Sequence, residues 1–232
     1  MSDLTLPEHR FQSLLSEPLD LSRYSTLLFD LDGTVLDTKD LILASFHYAC
    51  DRVMGCRLPD EQLLELVGIP LTEQMARLAP DCADELVVEY REHNAMAHEQ
   101  YIKCFPSMPE TIQFFYDAGW PLCIVTSKLG SSARQGLDSF DLTKYFRFVV
   151  GSDETERHKP DPEPLLFAAN LMGAEPTECI YIGDSPYDMQ AARAAGMLAV
   201  GAAWGMFQPE TLIEAGAQLL VYDNAALPEV LS

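Results

Sequence analysis

The stretch Phe29-Asp30-Leu31-Asp32-Gly33-Thr34-Val35-Leu36-Asp37-Thr38 sets two carboxylates, two residues apart, at the end of an apolar run. Asp favours turns, and Gly33 suits one. Yet Asp30 directly follows a buried run and would be desolvated there without a partner. Paired carboxylates in such a place suit nucleophilic and acid–base work. Other polar groups end other apolar runs. Thr126 and Ser127 follow Cys123-Ile124-Val125, and Asp184 follows Tyr181-Ile182-Gly183. Ser185, Pro186 and Asp188 then read as a helix N-cap, a first-turn proline and an acid favoured by the helix dipole. Lys159 runs against that logic. It lies just before a helix expected over 165–172, where a cation is unfavourable, so it is expected to point at the acid cluster or at a bound anion.

The elements that must position these groups alternate. Strand-like runs fall at 26–29, 121–125, 148–150, 179–182, 198–202 and 219–222, with helical segments between most of them. Strands alternating with helices imply βαβ units and a mainly parallel sheet, an α/β fold. Ligands of such sheets bind at the carboxyl ends of the strands, where the acids, Thr126 and Ser127 all fall. Between about 39 and 104 the pattern is helical instead. Ile42, Phe46, Ala49 and Val53 share one helix face, Gly55 can end that helix, and no strand pattern appears. Residues 1–22 read as an N-terminal extension with a short helix over His9–Leu15. The expected organisation is a Rossmann-like core from 23–37 and 106–232, interrupted by a helical insertion over 38–105.

The chain has 232 residues and a formal net charge of -21. That charge argues against nucleic acid and anionic membrane surfaces as partners, since both need clustered Lys and Arg. A small anionic substrate is still compatible, provided a metal or a placed Lys supplies local positive charge. The N-terminus lacks the basic-then-apolar pattern of a signal peptide. The most apolar stretch, 194–207, is too short to span a bilayer, so a soluble, cytoplasmic protein is expected. The six cysteines form no CxxC pair and read as reduced thiols. Oligomeric state is not readable from these features.

In order and rough spacing, the motifs resemble those of the haloacid dehalogenase superfamily of phosphotransferases. Asp30-Leu31-Asp32-Gly33-Thr34 looks like its first motif, Thr126-Ser127 its second, Lys159 its third and Gly183-Asp184-Ser185-Pro186-Tyr187-Asp188 its fourth. The helical insertion resembles the superfamily's small helical cap. Two subfamilies are similar: phosphoglycolate phosphatases and the pyrophosphatase linked to HPr phosphorylation. Gly68-Ile69-Pro70-Leu71 resembles a cap loop of both, whereas Tyr90-Arg91, Asn94, His98 and Phe105-Pro106 look more like the pyrophosphatase. Ser107 stands where relatives often have Gly.

The resemblance implies an Mg²⁺-dependent phosphatase acting on a small phosphorylated metabolite or on pyrophosphate. It implies Asp30 as nucleophile, Asp32 as general acid and base, Thr126 as a phosphoryl hydrogen-bond donor and Lys159 as charge balance. It also implies Mg²⁺ on the Asp30 and Asp184 carboxylates and the Asp32 carbonyl. Gly33 would allow the turn, and Asp188 would orient Lys159 or a metal-bound water. Asp32 favours phosphatase over dehalogenase, because a halide leaves without a proton and an alkoxide does not. Alternatives are a phosphomutase of the same fold and a phospho-accepting signalling domain. His47, Arg77, Arg91 and Lys103 are candidate anion contacts in the insertion, with a solvated or structural role as the other reading.

Overall fold

The computed structural model describes residues 10–231. Its main sheet has seven strands: β1 (Phe11–Ser13), β2 (Thr26–Phe29), β5 (Leu122–Val125), β6 (Phe148–Val150), β7 (Cys179–Gly183), β8 (Leu198–Ala202) and β9 (Leu219–Val221). The order across the sheet is β1-β9-β8-β7-β2-β5-β6. Every pairing is parallel except β1 with β9. β2 is therefore central, with Leu28 opposite Cys123 on one side and Tyr181 on the other.

Continuous apolar runs are what a sheet covered on both faces requires. Successive side chains of a strand point to opposite faces. Leu27, Phe29, Ile124, Ile182 and Val200 pack with Ile112, Phe115 and Leu137 of the helices Met108–Asp117 and Gly130–Asp138. Their neighbours Leu28, Cys123, Val125, Tyr181 and Ala199 pack on the other face, with Leu165 and Met189 of the helices Glu163–Met172 and Pro186–Ala195. All six cysteines are free. Among the described residues no helix is long and apolar enough to cross a membrane.

The insertion contains the helices Lys39–Met54, Asp60–Leu64, Leu71–Leu78 and Ala83–Tyr101. Ile42, Phe46, Ala49 and Cys50 bury one face of the first helix against Leu86 and Val87 of the last, in a third apolar cluster. Gly55 ends the first helix in the left-handed conformation, φ 67°, which glycine adopts without a Cβ penalty.

Two expectations are corrected. Residues 11–13 are a strand and not part of a helix; Phe11 pairs with Val221 and Ser13 with Leu219. The edge of β9 offers unpaired backbone groups, and Arg10 holds the register through Asp223 at 2.8 Å. His9, the start of the expected helix, lies outside the described residues. The stretch read as free of strands ends in β4 (Lys103–Cys104), which pairs antiparallel with β3 (Leu36–Asp37). Two residues are too few to show a period, and their partner is remote in sequence. This ladder brings the chain back to the sheet beside the point where it left.

Candidate active site

β2 ends at Phe29, and the Asp30 N–H donates to the Ile182 carbonyl at 2.8 Å, so Asp30 enters the crevice beside the end of β7. Gly33 then turns the chain at φ +83°; a Cβ there would lie 2.1 Å from Asp184 Oδ2. Asp184 stands at the end of β7, accepting from Thr34 Oγ1 at 3.3 Å and from the Met206 N–H at 2.7 Å. Gly205 admits this contact, since a Cβ there would be 2.2 Å from the Asp184 Cβ.

Asp188 has two tasks. One oxygen closes the capping box, accepting from the Ser185 N–H at 2.9 Å and its hydroxyl at 2.6 Å. The other accepts from Lys159 Nζ at 2.6 Å. Lys159 also donates to Asp30 Oδ1 at 3.0 Å, to the Tyr181 hydroxyl at 2.9 Å and toward the Val125 carbonyl at 3.4 Å. The side chain of Lys159 is 1% exposed. The cation that defied the helix dipole thus serves buried carboxylates.

Asp30, Asp184 and Asp188 each bring an oxygen within 4.8 Å of the others. Burial, the largest cause, and the charges of Asp188 and Asp32 push Asp30 up to about 7 against the pull of Lys159. Asp184 is raised well above the usual carboxylate range by burial, then by Asp30 and Asp188. Burial opposes the charge on Lys159, but Asp188 and Asp30 outweigh it and raise the ammonium. Three buried carboxylates facing one buried ammonium leave uncompensated negative charge. A set of hard oxygen donors with that surplus fits a divalent cation of the Mg²⁺ type. Asp188 and Asp184 each have both oxygens engaged by protein donors, whereas Asp30 accepts from Lys159 through Oδ1.

Asp32 departs from the cluster. Its half-buried carboxylate accepts from Lys128 Nζ at 3.0 and 3.3 Å. Thr126 is buried, and its Oγ1 accepts from the Lys128 N–H at 3.2 Å. Ser127 donates to the Gly68 carbonyl at 2.7 Å, tying the end of β5 to the insertion. A cavity of about 240 Å³ lies between the two parts; Asp30, Asp32, Thr126, Lys128, Arg91 and His98 are among its lining residues.

Sequence reasoning missed Lys128, Tyr181 and the Met206 N–H. Lys128 had a usable sign, a cation directly after a strand-end Thr-Ser pair. Tyr181 looked like one more strand apolar, and a backbone N–H leaves no trace in sequence. Of the insertion's candidate cations, His47 pairs with Asp60, Arg77 with Glu73 and Lys103 with Asp40, each at 2.6 Å. Arg91 alone of the four lines the cavity.

Comparisons with known proteins identify the family. The family model for haloacid dehalogenase-like hydrolases matches residues 27–202. The pyrophosphatase PpaX of Halalkalibacterium halodurans is 36% identical over 75% of this chain and 80% of its own. The crystal structure of a predicted phosphatase from Clostridium acetobutylicum superposes with a TM-score of 0.81 at 25% identity, covering 89% of this chain and 97% of that one. A predicted phosphoglycolate phosphatase of Haemophilus somnus 129pt shares the fold, with a TM-score of 0.80 at 22% identity over 90% of this chain and 99% of its own. The chain belongs to the haloacid dehalogenase-like hydrolase family and is an enzyme of its phosphatase class, a hydrolase of phosphate esters or phosphoanhydrides.

Proposed function

We propose that the protein is a cytoplasmic, Mg²⁺-dependent phosphatase that hydrolyses pyrophosphate or a small phosphomonoester through an aspartyl-phosphate on Asp30. The observation that carries this reading is the placement of Asp30. It is held by Lys159 at 3.0 Å among buried carboxylates and lines a cavity that Asp32 and Thr126 also line. The named relatives among pyrophosphatases favour pyrophosphate over an organic ester. Residues 38–105 act as a cap over a core formed by 23–37 and 106–232.

In the first step an Asp30 oxygen bonds to phosphorus in line with the leaving group. The bond from phosphorus to the leaving oxygen breaks, and that oxygen keeps the electron pair. Asp32 donates a proton to it. In the second step a water attacks the phosphorus of the aspartyl-phosphate. Asp32 takes the water's proton, the bond from phosphorus to Asp30 breaks, and phosphate departs. Thr126 hydrogen-bonds the transferred group. Lys159 balances its charge, and Asp188 and Tyr181 fix the position of Lys159. Asp30, Asp184 and the Asp32 carbonyl hold Mg²⁺, which when bound cancels carboxylate repulsion and charge developing on the phosphoryl oxygens.

The test is phosphate release from pyrophosphate, 2-phosphoglycolate and sugar phosphates, with Mg²⁺ and with EDTA. Metal-dependent release and a phosphorylated Asp30 trapped by acid quench are expected. Release that survives Asp30→Asn would sink the proposal.

A further inference from the structure

The chain just past β8 holds Asp184 through contacts that the two steps do not use. The Met206 N–H donates to Asp184 Oδ2 at 2.7 Å, and the Trp204 indole N–H donates to the Thr34 carbonyl at 3.0 Å. Thr34 in turn donates its hydroxyl to Asp184 Oδ1 at 3.3 Å. Residues 204–206 thus close a ring of contacts around one carboxylate. An ionised carboxylate has about four acceptor positions, so these two bonds aim Asp184 without filling it. Partners of this kind, which hold a ligand rather than the ion, set the ligand's orientation.

Gly205 makes the contact possible and also leaves it loose. A Cβ there would lie 2.2 Å from the Asp184 Cβ and 2.6 Å from the Gly33 carbonyl oxygen, so only glycine fits. Glycine also has the widest choice of backbone angles, so residue 205 does not by itself fix where the next N–H points. The side chains beyond it can. Met206 and Phe207 are half-buried and pack against the apolar cluster of the insertion, the one that contains Phe46, Met75 and Leu86. Phe207 also packs against the core cluster that contains Leu212 and Met189. Met206 therefore has its side chain on the insertion and its N–H on Asp184 of the core.

We propose that Met206 is a positioning residue through which the insertion completes the Asp184 site. Packing of its side chain on the insertion fixes the N–H that aims the carboxylate at a cation. This rests on the reading of Asp184 as a cation ligand. Coupling of this kind is reciprocal, so a cation that draws Asp184 into place also steadies the insertion. Cation affinity then depends on an apolar side chain that supplies no ligand atom. Order in the insertion depends, through the same residue, on an ion bound at the strand ends of the core.

Binding of Mn²⁺, which suits carboxylate and carbonyl ligands as Mg²⁺ does, tests this role, with free Mn²⁺ counted by its electron paramagnetic resonance signal. Met206→Ala keeps the N–H but loses the packing, and should weaken binding about 10-fold. Met206→Leu, which nearly conserves volume, should keep the native affinity. A merely structural role would lower the urea midpoint of Met206→Ala and leave its affinity unchanged. Hydrogen exchange of the native protein needs no variant. Mn²⁺ should slow exchange in the helices Lys39–Met54 and Ala83–Tyr101, and should slow it less in Met206→Ala. Asp184→Asn separates the two readings. If it loses Mn²⁺ binding while Met206→Ala binds as the native protein does, or while Mn²⁺ leaves native exchange in those helices unchanged, the role of Met206 is overturned and Asp184 stands as a ligand. If Asp184→Asn binds Mn²⁺ as tightly as the native protein, both readings fall.

Discussion

Lys159 at the strand ends and Lys103 at the base of the insertion each pair with an aspartate at short range, at 2.6 Å from Asp188 and 2.6 Å from Asp40. Their surroundings differ. Lys159 is 1% exposed and gathers Asp30, Asp188 and Tyr181 around it; Lys103 is 56% exposed and meets one carboxylate in water. In water an ion pair exchanges solvation for attraction at little net gain. In the interior, removing one partner strands a charge that nothing else can solvate. The crevice depends on each of its charges, and the insertion's surface does not.

The largest effect expected on activity is at Asp30. Asp30→Asn keeps the shape of the side chain but loses the proposed nucleophile. Turnover should fall by about 10⁴-fold or more, as for loss of a covalent nucleophile elsewhere. Acid-quench trapping and phosphate release measure it, and a drop of less than tenfold would mean that Asp30 is not the nucleophile.

The comparison of lysines is next. Lys159→Met strands Asp30 and Asp188 and should cost about 3–5 kcal/mol, read from urea unfolding. Lys103→Met should leave the unfolding curve in place. Equal shifts in the two variants would show that burial does not separate these pairs.

Gly33→Ala presses a methyl group into Asp184 and also strains a backbone held at φ +83°. Displacing a carboxylate proposed to bind the metal should weaken Mg²⁺ affinity about 10- to 100-fold, read by titrating activity with Mg²⁺. Gly55→Ala is the paired control in the insertion. It too has a positive φ, 67°, but a Cβ there meets nothing within 4 Å. It should cost stability without moving the Mg²⁺ midpoint.

The smallest effect is in the pH dependence of the metal-free protein. Asp30 is raised to about 7, against an unfolded value near 4. Between those values the folded chain keeps a proton that the unfolded chain has released, so stability falls as pH rises through this window. Melting temperatures in EDTA should decline from about pH 4.5 to 7. Asp30→Asn should flatten the slope, and added Mg²⁺ should restore the neutral-pH value. A melting temperature that rises with pH over this range would contradict a burial that outweighs the pull of Lys159 on Asp30.

Much of the architecture could be read along the chain, because its causes are local. Buried runs such as Cys123-Ile124-Val125 and Cys179-Ile180-Tyr181-Ile182 are apolar at every position, as a sheet covered on both faces demands. Gly55 and the Ser185-Pro186-Asp188 cap mark helix ends through their own backbone chemistry. Where the cause was a remote partner, reading failed. Phe11–Ser13 is extended because β9 offers it an edge, and Lys103–Cys104 because Leu36–Asp37 lies beside it.

The site divides in the same way. By itself the sequence determined that acids and a Thr-Ser pair stand at the ends of apolar runs and that a lysine precedes a helix against its dipole. Parallel strands bring such ends to one edge, so Asp30, Thr126 and Asp184 had to be neighbours once the sheet formed. Only the tertiary structure decided which acid pairs with which cation. Asp32 turns to Lys128 rather than joining the buried carboxylates, Tyr181 bonds Lys159 from within a strand, and the Met206 N–H holds Asp184. These choices depend on distances of about 3 Å between groups tens of residues apart. Spacing along one chain carries no record of them, because a hydrogen bond is decided by where folding places both of its ends.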